Sequence, residues 1–117
     1  PWTMLAIRDA IRFHTMIGAA RKEARLRWLQ EYWTSRVRGI KKVYLNTPDG
    51  DRACGIANAG VTGMTPTALA TALFDKYGIY TVAIDTGPVK GVRVTPHLFT
   101  TTADLDAFVK ALTELGA

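Results

Sequence analysis

The 117 residues of this chain correspond to one domain. Hydrophobic residues make up 48% and charged residues 21%, a composition close to that of ordinary soluble globular domains. No apolar run reaches the roughly 20 residues that span a bilayer, and no signal segment is visible. The one cysteine, Cys54, excludes an internal disulfide and a multi-thiolate metal site. It favours a reducing compartment, so we expect a cytoplasmic protein.

The net charge of +5 is unevenly distributed. Residues 1–42 contain ten Lys and Arg against three acidic residues, which gives this segment +7 and leaves −2 for the rest. Such asymmetry is typical of a surface that binds nucleic acid or an acidic partner. It is also typical of a helix whose polar face is hydrated or docks on another domain, the interpretation we favour. Because the chain begins at Pro1 rather than Met, we expect it to be part of a longer protein.

Two helices are predicted in the first 40 residues. The first covers 4–18, where apolar residues recur at spacings of three and four and His14 is expected to be half-buried. Gly18 is a weak point or a bend. The second runs from Ala19 to about Gly39, and its wide apolar stripe is more than a domain of this size needs on one helix. We therefore expect part of it to cover a missing partner surface.

The remaining sequence predicts an antiparallel sheet with two further helices. Strands are expected at 42–47, 53–61, 79–84 and 90–95, in two hairpins. Helices are expected from Thr65-Pro66 to Tyr77-Gly78 and over 102–115. The order predicts an α+β fold with about four strands and the helices packed mainly on one face. We divide the chain into a helical linker, 1–40, and a small domain, 41–117.

Arg93 is the candidate binding residue. It stands between Val92 and Val94 in a predicted strand, so its side chain points to the opposite face from theirs. Pro96 then stops ladder pairing, and Thr101 or Thr102 can cap the next helix. A lone cation at a strand end beside a proline turn is either an anion site or a solvated or salt-bridged arginine.

Other residue types indicate no second site. Gly60 and Gly63 lack the spacing of a phosphate loop. His14 and His97 have no further ligand at metal-binding spacing, so no metal site is expected, and His97 is interpreted as a turn residue. Cys54 is expected to be an inert core thiol in a strand. Tyr44 and Tyr80 are too few for an RNA-binding sheet, which carries an aromatic cluster.

A family resemblance lies in two stretches. Arg93-Val94-Thr95-Pro96-His97-Leu98-Phe99-Thr100-Thr101, followed by 103–108, resembles the last segment of class V aminotransferases, which are fold type I pyridoxal-phosphate enzymes. The isopenicillin-N epimerase-like and cysteine-desulfurase-like group is the nearest in pattern. Phe13-His14 with Ile17-Gly18, and the Arg-rich helix that follows, also look like this family, in which the region links a large cofactor domain to a small C-terminal domain.

The resemblance implies that Arg93 binds the α-carboxylate of an amino-acid substrate, since a guanidinium forms a planar bidentate pair with a carboxylate. It also implies that the cofactor-binding residues lie in a large domain of the same chain, and that the complete enzyme is a dimer. This chain alone is then expected to bind no cofactor and to be inactive. Two positions depart from the pattern: Thr100 replaces the usual Asn, and 85–90 is short and contains no Cys. We therefore expect an aminotransferase or an epimerase-like enzyme rather than a desulfurase.

Overall fold

A computed structural model describes residues 2–117. Four helices and four strands follow one another in the predicted order. Their bounds are α1 Trp2–Ile17, α2 Ala19–Val37, β1 Val43–Leu45, β2 Ala57–Val61, α3 Pro66–Tyr77, β3 Val82–Ile84, β4 Gly91–Val94 and α4 Thr102–Leu115, with a short 3₁₀ turn at Gly50–Arg52. The α+β prediction is confirmed. The strands are shorter than predicted, β2 most of all, since it begins at Ala57 rather than at residue 53.

The four strands form one antiparallel sheet in the order β1-β2-β4-β3. The register pairs Ala59 of β2 with Val92 of β4, and Val92 with Ala83 of β3. Helix α3 carries the chain from β2 to the far edge of the sheet, so β4 returns to the middle between β2 and β3. Strands β2 and β4 are therefore central, and the residues that alternate along them define the two faces of the sheet.

One face of the sheet is covered by helices and forms the core. Ala59 and Val92 are fully buried there, and α2 contributes Trp33, whose ring meets Phe108 of α4 edge-on at a centroid distance of 5.2 Å. The core also contains Leu29, Val37, Val61, Leu69, Leu73, Ala111 and Leu112. The second half of α2 thus packs into the same core as the sheet. We call this face the covered face and the other the open face.

Local sequence signals set the ends of α3 and α4. Thr65 accepts a hydrogen bond from the backbone N–H of Ala68 at 3.1 Å, and Pro66 occupies the first turn, where its missing N–H costs nothing. Gly78 ends α3 with a φ of 68°, a left-handed conformation that glycine adopts without steric cost. Thr101 caps α4, as one of the two predicted candidates.

Helix α1 differs from the rest, since none of its residues is buried. Gly18 has a φ of 88°, so the helix breaks there rather than bending. Our expectation that His14 is half-buried was wrong, because α1 contacts little beyond α2 and leaves the imidazole exposed. Several large apolar side chains of α1 are also exposed, among them Trp2, Met4, Leu5, Ile7, Ile11 and Met16.

Two tyrosines tie the helices together at the surface. Tyr32 of α2 donates a hydrogen bond to Asp106 of α4 at 2.9 Å, and Tyr77 of α3 donates to Glu114 of α4 at 2.7 Å. Each carboxylate acceptor raises the pKa of its tyrosine, because the neutral phenol donates the bond. Both bonds fix α4 against its neighbours. No helix of the described residues is long and apolar enough to cross a membrane.

Candidate substrate-binding face

Arg93 lies on the open face of the sheet. It is the third residue of β4, and its neighbours Val92 and Val94 are buried on the covered face, as the alternation predicts. The register places Asn58 of β2 on one side of Arg93 and Val82 of β3 on the other. Because β4 is a central strand, the guanidinium emerges from the middle of the sheet rather than from its edge.

The guanidinium of Arg93 has no carboxylate partner within residues 2–117. The ion pairs of this part of the chain join Arg27 to Glu23, Arg38 to Asp49, Lys90 to Asp85 and Lys110 to Glu114. The salt-bridged interpretation of Arg93 is therefore excluded for the described residues, which leaves an anion site or a solvated arginine. An exposed guanidinium with five donors and no acceptor is available to an anion.

A cluster of polar groups lies beside Arg93 on the open face. The Nδ2 of Asn46 donates to the Oδ1 of Asn58 at 2.6 Å and to the backbone carbonyl of Lys90 at 2.8 Å. The hydroxyl of Tyr44 lies 3.3 Å from the same carbonyl and donates to it. We call these groups, from Tyr44, Asn46, Asn58 and the Lys90 carbonyl, the amide cluster. It connects β1 to the start of β4 across β2.

Two glycines make room for the amide cluster. Gly60 follows Ala59 in β2, and Gly91 precedes Val92 in β4, so both lie next to one cross-strand pair. A Cβ on Gly60 would overlap with the Tyr44 ring, and a Cβ on Gly91 would overlap with the Ala59 carbonyl and the Asn58 Oδ1. A side chain at either position would need the space that these neighbouring atoms occupy, so glycine fits both.

The segment after β4 forms a closed turn. The backbone N–H of Thr100 donates to the carbonyl of His97 at 2.9 Å, and the Thr100 hydroxyl accepts from the N–H of His97 at 2.9 Å. Thr100 therefore supplies the hydrogen bonds that close the turn, although it replaces the Asn of the family pattern. The His97 ring stacks on Phe99 at 4.6 Å. This agrees with our interpretation of His97 as a turn residue.

The cap of α4 follows directly. Thr101 and Asp104 form a reciprocal capping box, in which the hydroxyl accepts from the Asp104 N–H at 3.2 Å and the carboxylate accepts from the Thr101 N–H at 2.9 Å. The Thr101 hydroxyl also donates to the carboxylate at 2.7 Å. These hydrogen bonds stabilise the ionised carboxylate and lower the pKa of Asp104.

The prediction for Cys54 was wrong. The residue is exposed, and it lies in the loop before β2 because that strand begins only at Ala57. His14, Cys54 and His97 line one apolar cavity of about 470 Å³ between the first two helices and the loop after β4. No group of three metal-ligating side chains was found within residues 2–117.

Sequence reasoning missed Asn46 and Asn58. Alternation along each strand assigns both to the side opposite the core, but their pairing depends on the register between β1 and β2. A register is not readable from either strand alone. The hairpin turn and the small residues beside it were the sequence features from which the register between β1 and β2 could have been inferred.

Comparison with solved structures identifies the fold. A cystine C-S lyase, C-DES, in complex with cysteine persulfide matches with a TM-score of 0.76 at 16% identity over 92% of this chain. Alanine–glyoxylate aminotransferase from Nostoc sp. matches with a TM-score of 0.72 at 22% identity over 94%. A NifS-like protein from Rickettsia africae matches with a TM-score of 0.62 at 16% identity over 79%. The chain shares its fold with class V aminotransferase-like enzymes.

The matched segment is a minor part of each neighbour, 28% of the lyase and of the NifS-like protein and 30% of the aminotransferase. This chain thus spans less than a third of those enzymes. No protein-family model matches the sequence. No curated protein matches it either. The resemblance to class V aminotransferases that residues 93–108 indicate is confirmed at the level of the fold.

Proposed function

We propose that this chain is the small C-terminal domain of a pyridoxal-phosphate-dependent enzyme that acts on an amino acid, an aminotransferase or an epimerase-like enzyme. In this proposal Arg93 binds the α-carboxylate of the substrate. The observation that carries it is an arginine in the middle of an uncovered sheet face, without an acidic partner in residues 2–117. The structural neighbours support the class of enzyme, and the lyase complex contains an amino-acid product.

The role of Arg93 is to bind and orient. Two parallel hydrogen bonds from one guanidinium to a carboxylate fix the direction of the substrate as well as its position. The amino group and the Cα are then held relative to the reacting centre, and such positioning contributes to catalysis by lowering the entropic part of the activation barrier. A strand in the middle of the sheet is a rigid support for this function.

The cofactor is assigned to another part of the complete protein. The nearest lysine in sequence to Arg93 is Lys90, whose ammonium pairs with Asp85 at 3.1 Å and whose backbone carbonyl is in the amide cluster. This arrangement does not fit a lysine that binds a cofactor covalently. The proposal includes a large domain of the same chain, a homodimer and a cytoplasmic location.

The exposed apolar residues of α1 and the first half of α2 support such a large domain. Trp2 and Met16 are 85% and 83% exposed, and a large amount of exposed apolar surface is typical of an interaction site. We propose that residues 1–40 form the helical linker and that this surface packs against the large domain. The domain boundary at 40 stays a prediction, and the second half of α2 packs into the core beneath the sheet.

The alternative function, a separate module that binds an acidic partner or nucleic acid through the basic helices, has less support. Several of the basic groups already have partners inside the chain. Arg25 donates to the Thr100 carbonyl at 3.1 Å, Arg27 pairs with Glu23 at 2.9 Å, and Arg38 pairs with Asp49. Arg36 lies over the Tyr32 ring at 3.5 Å. Steep loss of nucleic-acid binding with salt would favour this alternative.

Kinetics of the complete enzyme test the proposal. Replacing Arg93 with Ala should raise the KM for the amino acid about 10- to 100-fold, because a charge-assisted bond contributes about 1.5–3 kcal/mol. The cofactor spectrum should be unchanged. Lys76→Ala is the matched control. Lys76 is exposed and lies on α3, which packs on the covered face, so the variant loses one positive charge on the side away from Arg93. Unchanged substrate kinetics in Arg93→Ala would contradict the assignment.

The isolated chain offers a second test. We expect residues 1–117 alone to show neither cofactor absorbance nor transamination. Covalent binding of pyridoxal phosphate by this chain would overturn the proposal, because one of its own lysines would then form the Schiff base. Absorption spectroscopy after incubation with the cofactor, with and without borohydride reduction, distinguishes the two outcomes.

A further inference from the structure

Asn58 lies directly opposite Arg93 on the open face. The two residues are paired in the antiparallel register of β2 and β4. Side chains paired in this way have Cβ atoms about 4.5–5.5 Å apart. A small anion on the guanidinium is therefore within reach of the Asn58 amide, provided that the amide presents donors to it.

The amide cluster determines which end of the Asn58 amide is nitrogen. The carbonyl of Lys90 can only accept, so the Asn46 atom that bonds to it at 2.8 Å is the nitrogen. The same nitrogen donates to Asn58 at 2.6 Å, and the Asn58 atom it meets must therefore be Oδ1. A backbone carbonyl thus fixes the orientation of both amides.

The Oδ1 of Asn58 lies above Gly91, where an added Cβ would overlap with it. The Nδ2 is the other branch of the same planar amide and donates no hydrogen bond within residues 2–117. Since Oδ1 accepts from Asn46, the two N–H groups of Nδ2 are the groups of the Asn58 amide that can still bind a ligand. The pair formed by Arg93 and Asn58 therefore presents donors to whatever lies above it, and the acceptor of Asn58 is already used.

We infer that Asn58 is a second substrate-binding residue, whose Nδ2 donates to the same carboxylate as Arg93. This inference rests on the proposed function. A carboxylate accepts about four hydrogen bonds, more than one guanidinium fork supplies, so a neutral donor beside Arg93 completes the site. Asn46 is the positioning residue, since its hydrogen bond keeps the nitrogen of Asn58 directed at the substrate.

The test uses the complete enzyme with its cofactor and two variants, Asn58→Asp and Asn58→Ala. The probes are the twenty proteinogenic amino acids, and the readout is the change in the cofactor absorption spectrum during titration. For the amino acid with the largest response, the amine that lacks its carboxyl group is the matched ligand. Thermal unfolding of each variant verifies that it is folded.

Asn58→Asp should raise the Kd for the amino acid about ten-fold or more, because it replaces a donor with a negative charge. Asn58→Ala should raise it less, by about three-fold to ten-fold. Both variants should bind the matched amine as wild type does, since it has no carboxylate. An equal loss for amino acid and amine would overturn the inference, because it would show a structural role only.

The Asn46→Asp variant tests the positioning role. A carboxylate at 46 can donate neither to the Lys90 carbonyl nor to the Asn58 Oδ1 and can only accept, so the Asn58 amide should turn over and present its oxygen to the substrate. The Kd for the amino acid should then rise as in Asn58→Ala, again without an effect on the amine. An unchanged Kd in Asn46→Asp would remove the positioning role.

The two proposals fail in different ways. If Arg93→Ala weakens amino-acid binding while Asn58→Asp and Asn58→Ala stay within two-fold of wild type, the role of Asn58 is wrong and the proposed function stands. If Arg93→Ala also leaves binding unchanged, or if wild type responds to no amino acid, both are wrong.

Discussion

The two faces of the sheet are built from the same strands and held in different ways. On the covered face, Ala59 and Val92 are fully buried beneath helices, and close packing fixes each side chain. On the open face, Tyr44 and Asn46 are held by hydrogen bonds to a backbone carbonyl, while Arg93 is exposed and unpaired within residues 2–117. The covered face accounts for stability, and the open face presents oriented polar groups.

The largest effect is expected from a cavity in the covered face. Trp33→Ala removes a fully buried ring that packs edge-on against Phe108. It should lower the free energy of unfolding by about 3–5 kcal/mol, measured by denaturant titration. A loss below about 1 kcal/mol would show that the helices are not held by this contact and would break the contrast between the faces.

A smaller loss in the free energy of unfolding should follow from adding a side chain at a crowded position of the open face. Gly91→Ala places a methyl group against the Ala59 carbonyl and Asn58, and overpacking of this kind costs about 1–3 kcal/mol. Gly39→Ala is the control, because a Cβ there meets no atom within 4 Å and the change should stay within about 0.5 kcal/mol. Equal stability of the two variants would mean that the amide cluster is loosely packed.

The capping box predicts a dependence on pH. Hydrogen bonds from Thr101 lower the pKa of Asp104 in the folded chain below its unfolded value of about 3.9. The stabilisation is thus fully present above about pH 4 and is lost as pH falls through the lowered folded pKa. Asp104→Asn should be less stable than wild type at pH 7, and the difference should shrink in acid. Thermal unfolding of both proteins between pH 7 and pH 2 measures it.

The smallest effect on stability is expected at Arg93. Because it is exposed and has no ion-pair partner in the described residues, Arg93→Ala should change the free energy of unfolding by no more than about 0.5 kcal/mol. The same substitution should strongly reduce amino-acid binding by the complete enzyme. A large loss of stability would show that Arg93 supports the sheet rather than a ligand.

The parts of the fold that depend on nearby residues were predictable. Helix α4 has the predicted bounds, and Thr65-Pro66 and Gly78 begin and end α3 as expected, because caps act within one turn of the chain. The orientation of Arg93 followed from strand alternation. These features need no knowledge of distant residues.

Features that depend on distant residues were not predictable. The exposure of Cys54 follows from where β2 begins to pair, and the amide cluster requires the register of three strands. The exposed surface of α1 is a comparable case: its apolar periodicity is readable, but the sequence does not show whether this chain supplies the surface that would cover it.

The ring of Tyr44 above Gly60 has an evolutionary consequence. The phenol occupies the volume that any larger residue at 60 would need, and its hydroxyl reaches a carbonyl next to Gly91. Positions 44, 60 and 91 are therefore subject to a shared steric limit. In an alignment of related sequences they should co-vary, with a side chain at 60 appearing only where the residue at 44 is small.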